Sequence, residues 1–196
     1  MSDRYSQFVN LPVAGGVAKR IGLPQPVSLE RGPGELSGRV LLASEEWAAE
    51  RGLPVLAYFA DAQTAAVDHV HKGEGLLMAP AYAMPRMLDR NGLSLQDFDL
   101  YEIHEAFAAQ VLCTLAAWED PVFSRERLGL DAPLGSIYRE KLNVNGSSLA
   151  AAHPFAATGG RIIPVAAKLL AERGSGRALI SICAAGGQGV VAILER

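Results

Sequence analysis

The sequence predicts a layered α/β domain in which helices pack on a β-sheet, and three observations carry that prediction. Strand-like and helix-like stretches alternate from residue 39 to the end, with Gly or Pro between them. Hydrophobic residues make up 49% of the 196-residue chain and charged residues 20%, a balance that supports a buried core. No apolar run approaches the roughly 20 residues that a membrane span requires, so no membrane partner is expected.

The elements follow in chain order. Residues 1–38 read as a Pro- and Gly-rich leader. Pro12, Pro24, Pro26 and Pro33 with Gly15, Gly16, Gly22, Gly32 and Gly34 leave room for at most a short helix near 17–21. The second segment, 39–196, opens with a strand over 39–43 and a helix over 44–51 that Gly52 closes. An extended stretch covers 55–67, and Pro85 opens a helix that ends at Gly92. Ser94 and Asp97 resemble a capping box ahead of a short strand over 100–103. A helix over 105–118 carries Gln110 and Thr114 four apart, a narrow polar stripe on an otherwise buried rod, and Cys113 within it is assigned to the core. Residues 120–141 read as a polar surface insertion. A second long helix covers 158–173 and stops at Gly174, with Pro164 expected to kink it or delay its start. Strands over 178–182 and 190–194 are joined by a turn at Gly186-Gly187-Gln188-Gly189.

Charge and cysteine usage narrow the function. Eighteen Lys and Arg against 21 Asp and Glu give a net charge of −3, with no basic block. Nucleic acid is therefore not an expected partner. The start, MSDRYSQFVN, has no secretory h-region, so a cytoplasmic location is expected. Two cysteines do not make a disulfide framework.

Three loops hold the residues that can do chemistry. His153 lies just before the second long helix, and Pro154 restricts it to extended backbone. Asn143, Asn145, Gly146, Ser147 and Ser148 place donors nearby, an arrangement that suits a general base or an oxyanion donor. A turn with a solvated histidine is the alternative. Cys183 ends an apolar strand and faces the Gly-rich turn, where free N–H groups can lower a thiol pKa. A small buried hydrophobe is its alternative. His104 precedes Glu105 at a strand–helix junction, a polar pair able to bind a water or an oxyanion. It lacks the second histidine of a zinc-protease helix, and His69 and His71 read as a solvated loop, so no metal is expected.

The segments Tyr101-Glu-Ile-His104-Glu105-Ala-Phe-Ala108, Asn143 to Thr158, and Cys183-Ala-Ala-Gly186-Gly187-Gln188-Gly189 resemble, in order, the three C-terminal motifs of thiolases. The His-Glu-Ala-Phe form is most similar to the fatty-acid β-oxidation type related to the trifunctional-enzyme β subunit. The resemblance covers about 40–196 and implies a mixed β-sheet of about five strands covered by helices, roughly half of a thiolase. It implies acyl transfer between coenzyme A and a 3-ketoacyl-CoA through a covalent intermediate, with the CoA thioester as substrate and no cofactor. By position, His153 is implied to activate the nucleophilic cysteine and polarise a thioester oxygen. Cys183 is implied to exchange a proton with the α-carbon or the leaving group. His104 is implied to orient a water in the first oxyanion hole, and the Ala185 N–H to serve the second, with Gly186 and Asn145 beside the substrate.

Departures from the family pattern qualify this. His104 stands where most members have Asn, and Ala152 where Gly is usual. No cysteine precedes Cys113, so the acyl-accepting nucleophile has no counterpart in the chain. Residues 2–42 also resemble, more weakly, the start of long 3-oxoacyl-carrier-protein reductases. Two hypotheses follow. The chain is part of a site completed by a thiolase N-terminal half, and inactive alone. Alternatively, it is a non-catalytic remnant that binds CoA or acyl groups or another protein. In either case the central helix is expected to expose an apolar face and promote self-association.

Overall fold

The computed structural model describes residues 40–155 and 157–196 and the backbone of 6–9. The strands are β1 (Ser6–Val9), β2 (Leu41–Ala43), β3 (Ala57–Ala66), β4 (Leu100–Ile103), β5 (Arg177–Ala184) and β6 (Gln188–Glu195). They form one mixed sheet in the order β2-β1-β3-β6-β5-β4. Only β4 and β5 run parallel; the other pairs are antiparallel. The sixth strand, β1, falls in the leader, where no strand was expected. The proposed helix at 17–21 lies outside the described residues.

Helices cover both faces. They are α1 (Glu45–Glu50), α2 (Ala79–Asn91), α3 (Ala108–Glu119), the single turn α4 (Pro121–Phe123), α5 (Ser148–Ala151) and α6 (Thr158–Arg173). Alternation along the strands divides the core in two. Tyr101, Ile103, Leu179, Val191 and Ile193 pack with Met84, Met87 and Leu88 of α2 and with Leu115 and Trp118 of α3. Ala178, Ile180, Ala192 and Leu194 pack instead with Ile162, Ala166 and Leu170 of α6.

Local chemistry explains most boundaries. Ser44 caps α1 by accepting from the Trp47 N–H at 3.2 Å. Gly92 closes α2 in the left-handed conformation. The Ser94 N–H donates to Asp97 at 2.7 Å and the Asp97 N–H returns to Ser94 O, so this box closes a turn ahead of β4. Pro85 does not open α2, which begins at Ala79; Pro80 takes the first turn and Pro85 is buried inside the helix. Pro164 likewise lies within an uninterrupted α6.

The polarity of α3 is the reverse of the expectation. The helix starts at Ala108 and buries Gln110 and Thr114, while Leu112 and Cys113 face outward. Thr114 satisfies its hydroxyl on its own helix, donating to Gln110 O at 3.1 Å, so it tolerates burial, whereas Gln110 Oε1 is buried without a partner among the described residues. Cys113 is therefore not a core residue. The stretch after α3 is not wholly superficial either: Ser124 and Ile137 are buried, and Phe123 and Leu134 pack on the first core.

Candidate active site

The parallel pair β4–β5 brings two of the three loops to one edge of the sheet. Ile103 is level with Ser181, and the His104 N–H extends the ladder to Ser181 O at 2.8 Å. The chain leaves β4 through His104 and Glu105 beside the end of β5, where Cys183 sits.

Asn143 fastens the second loop to this edge. Its backbone takes a left-handed φ of 48°. Its side chain pairs with β4 as a further strand would, accepting from Ile103 N–H at 2.9 Å and donating to Ile103 O at 3.0 Å. Glu105 completes the clasp, accepting from Asn143 Nδ2 at 2.8 Å and from the Leu149 N–H at 3.0 Å.

This clasp sets α5 over His104. The His104 ring is buried, with Nδ1 2.7 Å from Ser148 Oγ. Arg161, one turn into α6, donates from Nη2 to Ser148 Oγ at 2.9 Å and to Ser147 Oγ at 3.3 Å. The His153 ring lies over His104, centroids 4.2 Å apart and planes tilted by 45°. His153 Nδ1 is 2.6 Å from Thr158 Oγ1, and its ring meets the edge of Phe155, which is 85% exposed. His153 itself is exposed, so one ring of the pair is buried and the other faces outward.

Burial dominates the electrostatics. It pushes His104 down to about 4, helped by His153 and Arg161 and opposed by Glu105, so the ring is neutral at pH 7. Glu102 points toward the α6 face of β4 and is 1% exposed, with neither oxygen hydrogen-bonded among the described residues. Burial lifts it to about 7 against the pull of Arg161. Cys183 corrects an expectation: burial raises its thiol to about 11, and its own backbone N–H offsets this only partly, so the Gly-rich turn does not produce a reactive thiolate.

The turn is nevertheless shaped as expected. Ala185 and Gly186 are exposed between β5 and β6, and Gly186 and Gly187 take φ of 86° and 74°. A Cβ at Gly187 would press on Val67 O and lie 2.9 Å from His69 Nδ1. Asn145 is exposed, and Asn143 makes the structural bonds instead. His69 and His71 lie in the turns after β3, and among the described residues no group of three His, Cys, Asp or Glu could hold a metal ion. Sequence reasoning passed over Glu102 and Arg161. Their signals were a lone acid in an apolar strand and a cation one turn after Thr158, on the same helix face.

Comparisons with known proteins agree with this geometry. Residues 53–196 match the family described as thiolase, C-terminal domain. The 3-ketoacyl-CoA thiolase of Alteromonas mediterranea is 45% identical over 156 residues, covering 80% of this chain and 35% of that protein. That of Yersinia pestis is 44% identical with the same coverage. Among solved structures, Bacillus anthracis acetyl-CoA acetyltransferase superposes with a TM-score of 0.60 at 37% identity, covering 80% of this chain and 34% of that one. Human mitochondrial 3-ketoacyl-CoA thiolase gives 0.60 at 31% identity, with the same coverage. The chain thus spans about a third of the length of the curated relatives it matches.

Proposed function

Because the chain belongs to the thiolase family and carries its C-terminal domain, we propose that it serves acyl transfer between coenzyme A and a 3-ketoacyl-CoA. The observation that carries this reading is the packing of His153 on His104 at the end of the β4–β5 pair, where Cys183 is the penultimate residue of β5. In this role the exposed His153 takes the proton of an acyl-accepting thiol and polarises the thioester oxygen. Cys183, a protonated thiol at pH 7, delivers a proton to the α-carbon or the leaving group and recovers it in the reverse direction. His104 orients a water toward the first oxyanion hole. The Ala185 N–H serves the second, with Gly186 and Asn145 lining the substrate path. Coenzyme A thioester is substrate, and no resident cofactor is required.

The nucleophile comes from outside the matched domain on this reading. Cys183 is held protonated by burial, and Cys113 lies on the outer face of α3, a helix that packs its other side on the core. A thiolase N-terminal half is the partner this requires, consistent with relatives about three times the matched length.

The test is thiolysis of acetoacetyl-CoA and a longer 3-ketoacyl-CoA with free CoA, using the chain alone and mixed with a thiolase N-terminal half. Turnover is expected only in the mixture, and Cys183→Ala or His153→Ala should lower it by several orders of magnitude. Turnover by the chain alone overturns the shared-site reading. None in the mixture overturns the catalytic one and leaves CoA or acyl binding.

A further inference from the structure

His104 has two ring nitrogens, and only Nδ1 meets a polar group among the described residues; Nε2 is buried without a partner. Which nitrogen holds the proton decides whether the unpartnered Nε2 donates or accepts. The Ser148 hydroxyl resolves this. Arg161 Nη2 can only donate, so at 2.9 Å it occupies a lone pair of Ser148 Oγ. Ser148 is 5% exposed, and its own hydrogen needs an acceptor. His104 Nδ1, at 2.7 Å, is the acceptor in reach. A proton on Nδ1 would make Ser148 receive two donors and leave its hydrogen unpaired.

We propose that Ser148 and Arg161 are positioning residues that hold His104 as the neutral Nε2–H tautomer, so that its unpartnered Nε2 is a hydrogen-bond donor to the water of the first oxyanion hole. What the donor serves rests on the acyl-transfer reading; the tautomer does not. Donors then run in one direction, from the Arg161 guanidinium through Ser148 to His104, and each bond polarises the next. A neutral ring at the end of that chain stabilises developing negative charge and retains its own proton. His153 is under no such constraint. Thr158 Oγ1 has a second acceptor in Pro154 O at 3.4 Å, so it can accept from His153 Nδ1–H and leave His153 Nε2 bare as a base. Two stacked histidines are thereby suited to opposite tasks.

The experiment is the imidazole nitrogen NMR spectrum of the uniformly 15N-labelled full chain at neutral pH, with the His104 signals identified by their loss in His104→Asn. The expected pattern is a protonated Nε2 and a bare Nδ1, well separated. In Ser148→Ala both resonances should move toward the averaged values of a ring exchanging tautomers, and Ser148→Thr should restore the separation. A protonated Nδ1 in the parent chain, or an unchanged spectrum in Ser148→Ala, overturns the inference. The readout needs no turnover. A mixture with the thiolase N-terminal half that stays inactive while His104 shows the Nε2–H pattern refutes the acyl-transfer reading alone, and an active mixture with Nδ1–H refutes this inference alone.

Discussion

Ala152 sits at φ 70° and ψ 171°, between α5 and His153. In that region the Cβ of an L-residue collides with its own backbone, and glycine alone adopts it without strain. Replacing Ala152 by Gly removes a strain of about 1–3 kcal/mol and adds about 0.4–1 kcal/mol of unfolded-chain entropy. The net gain is about 0.5–2 kcal/mol, which for a chain of this size raises Tm by roughly 1–8 °C. Thermal and urea unfolding of the full chain would measure it, with Ala151→Gly as the control. Ala151 is the last residue of α5, where the same exchange should cost about 0.5–1 kcal/mol. Opposite signs at adjacent positions isolate backbone strain from any general effect of glycine. A Tm for Ala152→Gly at or below that of the parent would refute the strain argument.

Other expectations follow from burial. Glu102 and His104 oppose each other in acid. Glu102 is raised from 4.5 to about 7, so its contribution to stability is complete below about 4.5 and is lost as pH rises to about 7. His104 is lowered from 6.5 to about 4, so its contribution is present above about 6.5 and is lost as pH falls toward 4. Each effect is of order 1–3 kcal/mol. Urea midpoints should therefore rise with pH between 4 and 7 in Glu102→Gln and fall in His104→Asn, whereas superimposable profiles would remove both assignments. Phe107, Leu112, Leu149 and Phe155 are large exposed apolar side chains on α3, α5 and the loops beside the site. The chain alone should bind a hydrophobic dye and self-associate, with Leu112→Asp lowering both; a monodisperse, dye-silent parent would contradict this.

The sequence made the strands and the three loops legible because Gly and Pro separate short apolar runs with a clear period. It misled on α3 because periodicity identifies a stripe without saying which side of it is wet. Gln110 and Thr114 looked like the solvent face, and only the packing of Leu115 and Trp118 on the sheet shows that this side turns inward. Cys183 misled for a related reason. The Gly-rich turn beside it was visible, but the depth of a strand end is a tertiary property, and burial outweighs the turn. Ala152 was readable through its departure from the family's glycine, and its φ of 70° supplies the physical cause. The Ser148–Arg161 link was not readable, since residues 13 apart meet only when the clasp of Asn143 and Glu105 sets α5 beside α6.

The site divides into a buried half and an exposed half, and the division has a chemical consequence. Glu102, His104, Asn143, Ser147, Ser148 and Thr158 are buried, and most are tied into one network, so their geometry is set before any ligand arrives. His153, Phe155, Ala185 and Gly186 are exposed. On the proposed reading these are a base and an oxyanion donor, and facing water they compete with solvent for every hydrogen bond, their electrostatic effect weakened by the high dielectric. Covering the exposed half would strengthen the same contacts without moving the buried half. On the proposed reading, the surface that delivers the missing thiol also excludes water from His153. Binding of that surface and activation of the site are then one event. The isolated chain would hold oriented groups that remain chemically weak until the apolar outer side of α3 and Phe155 are buried together.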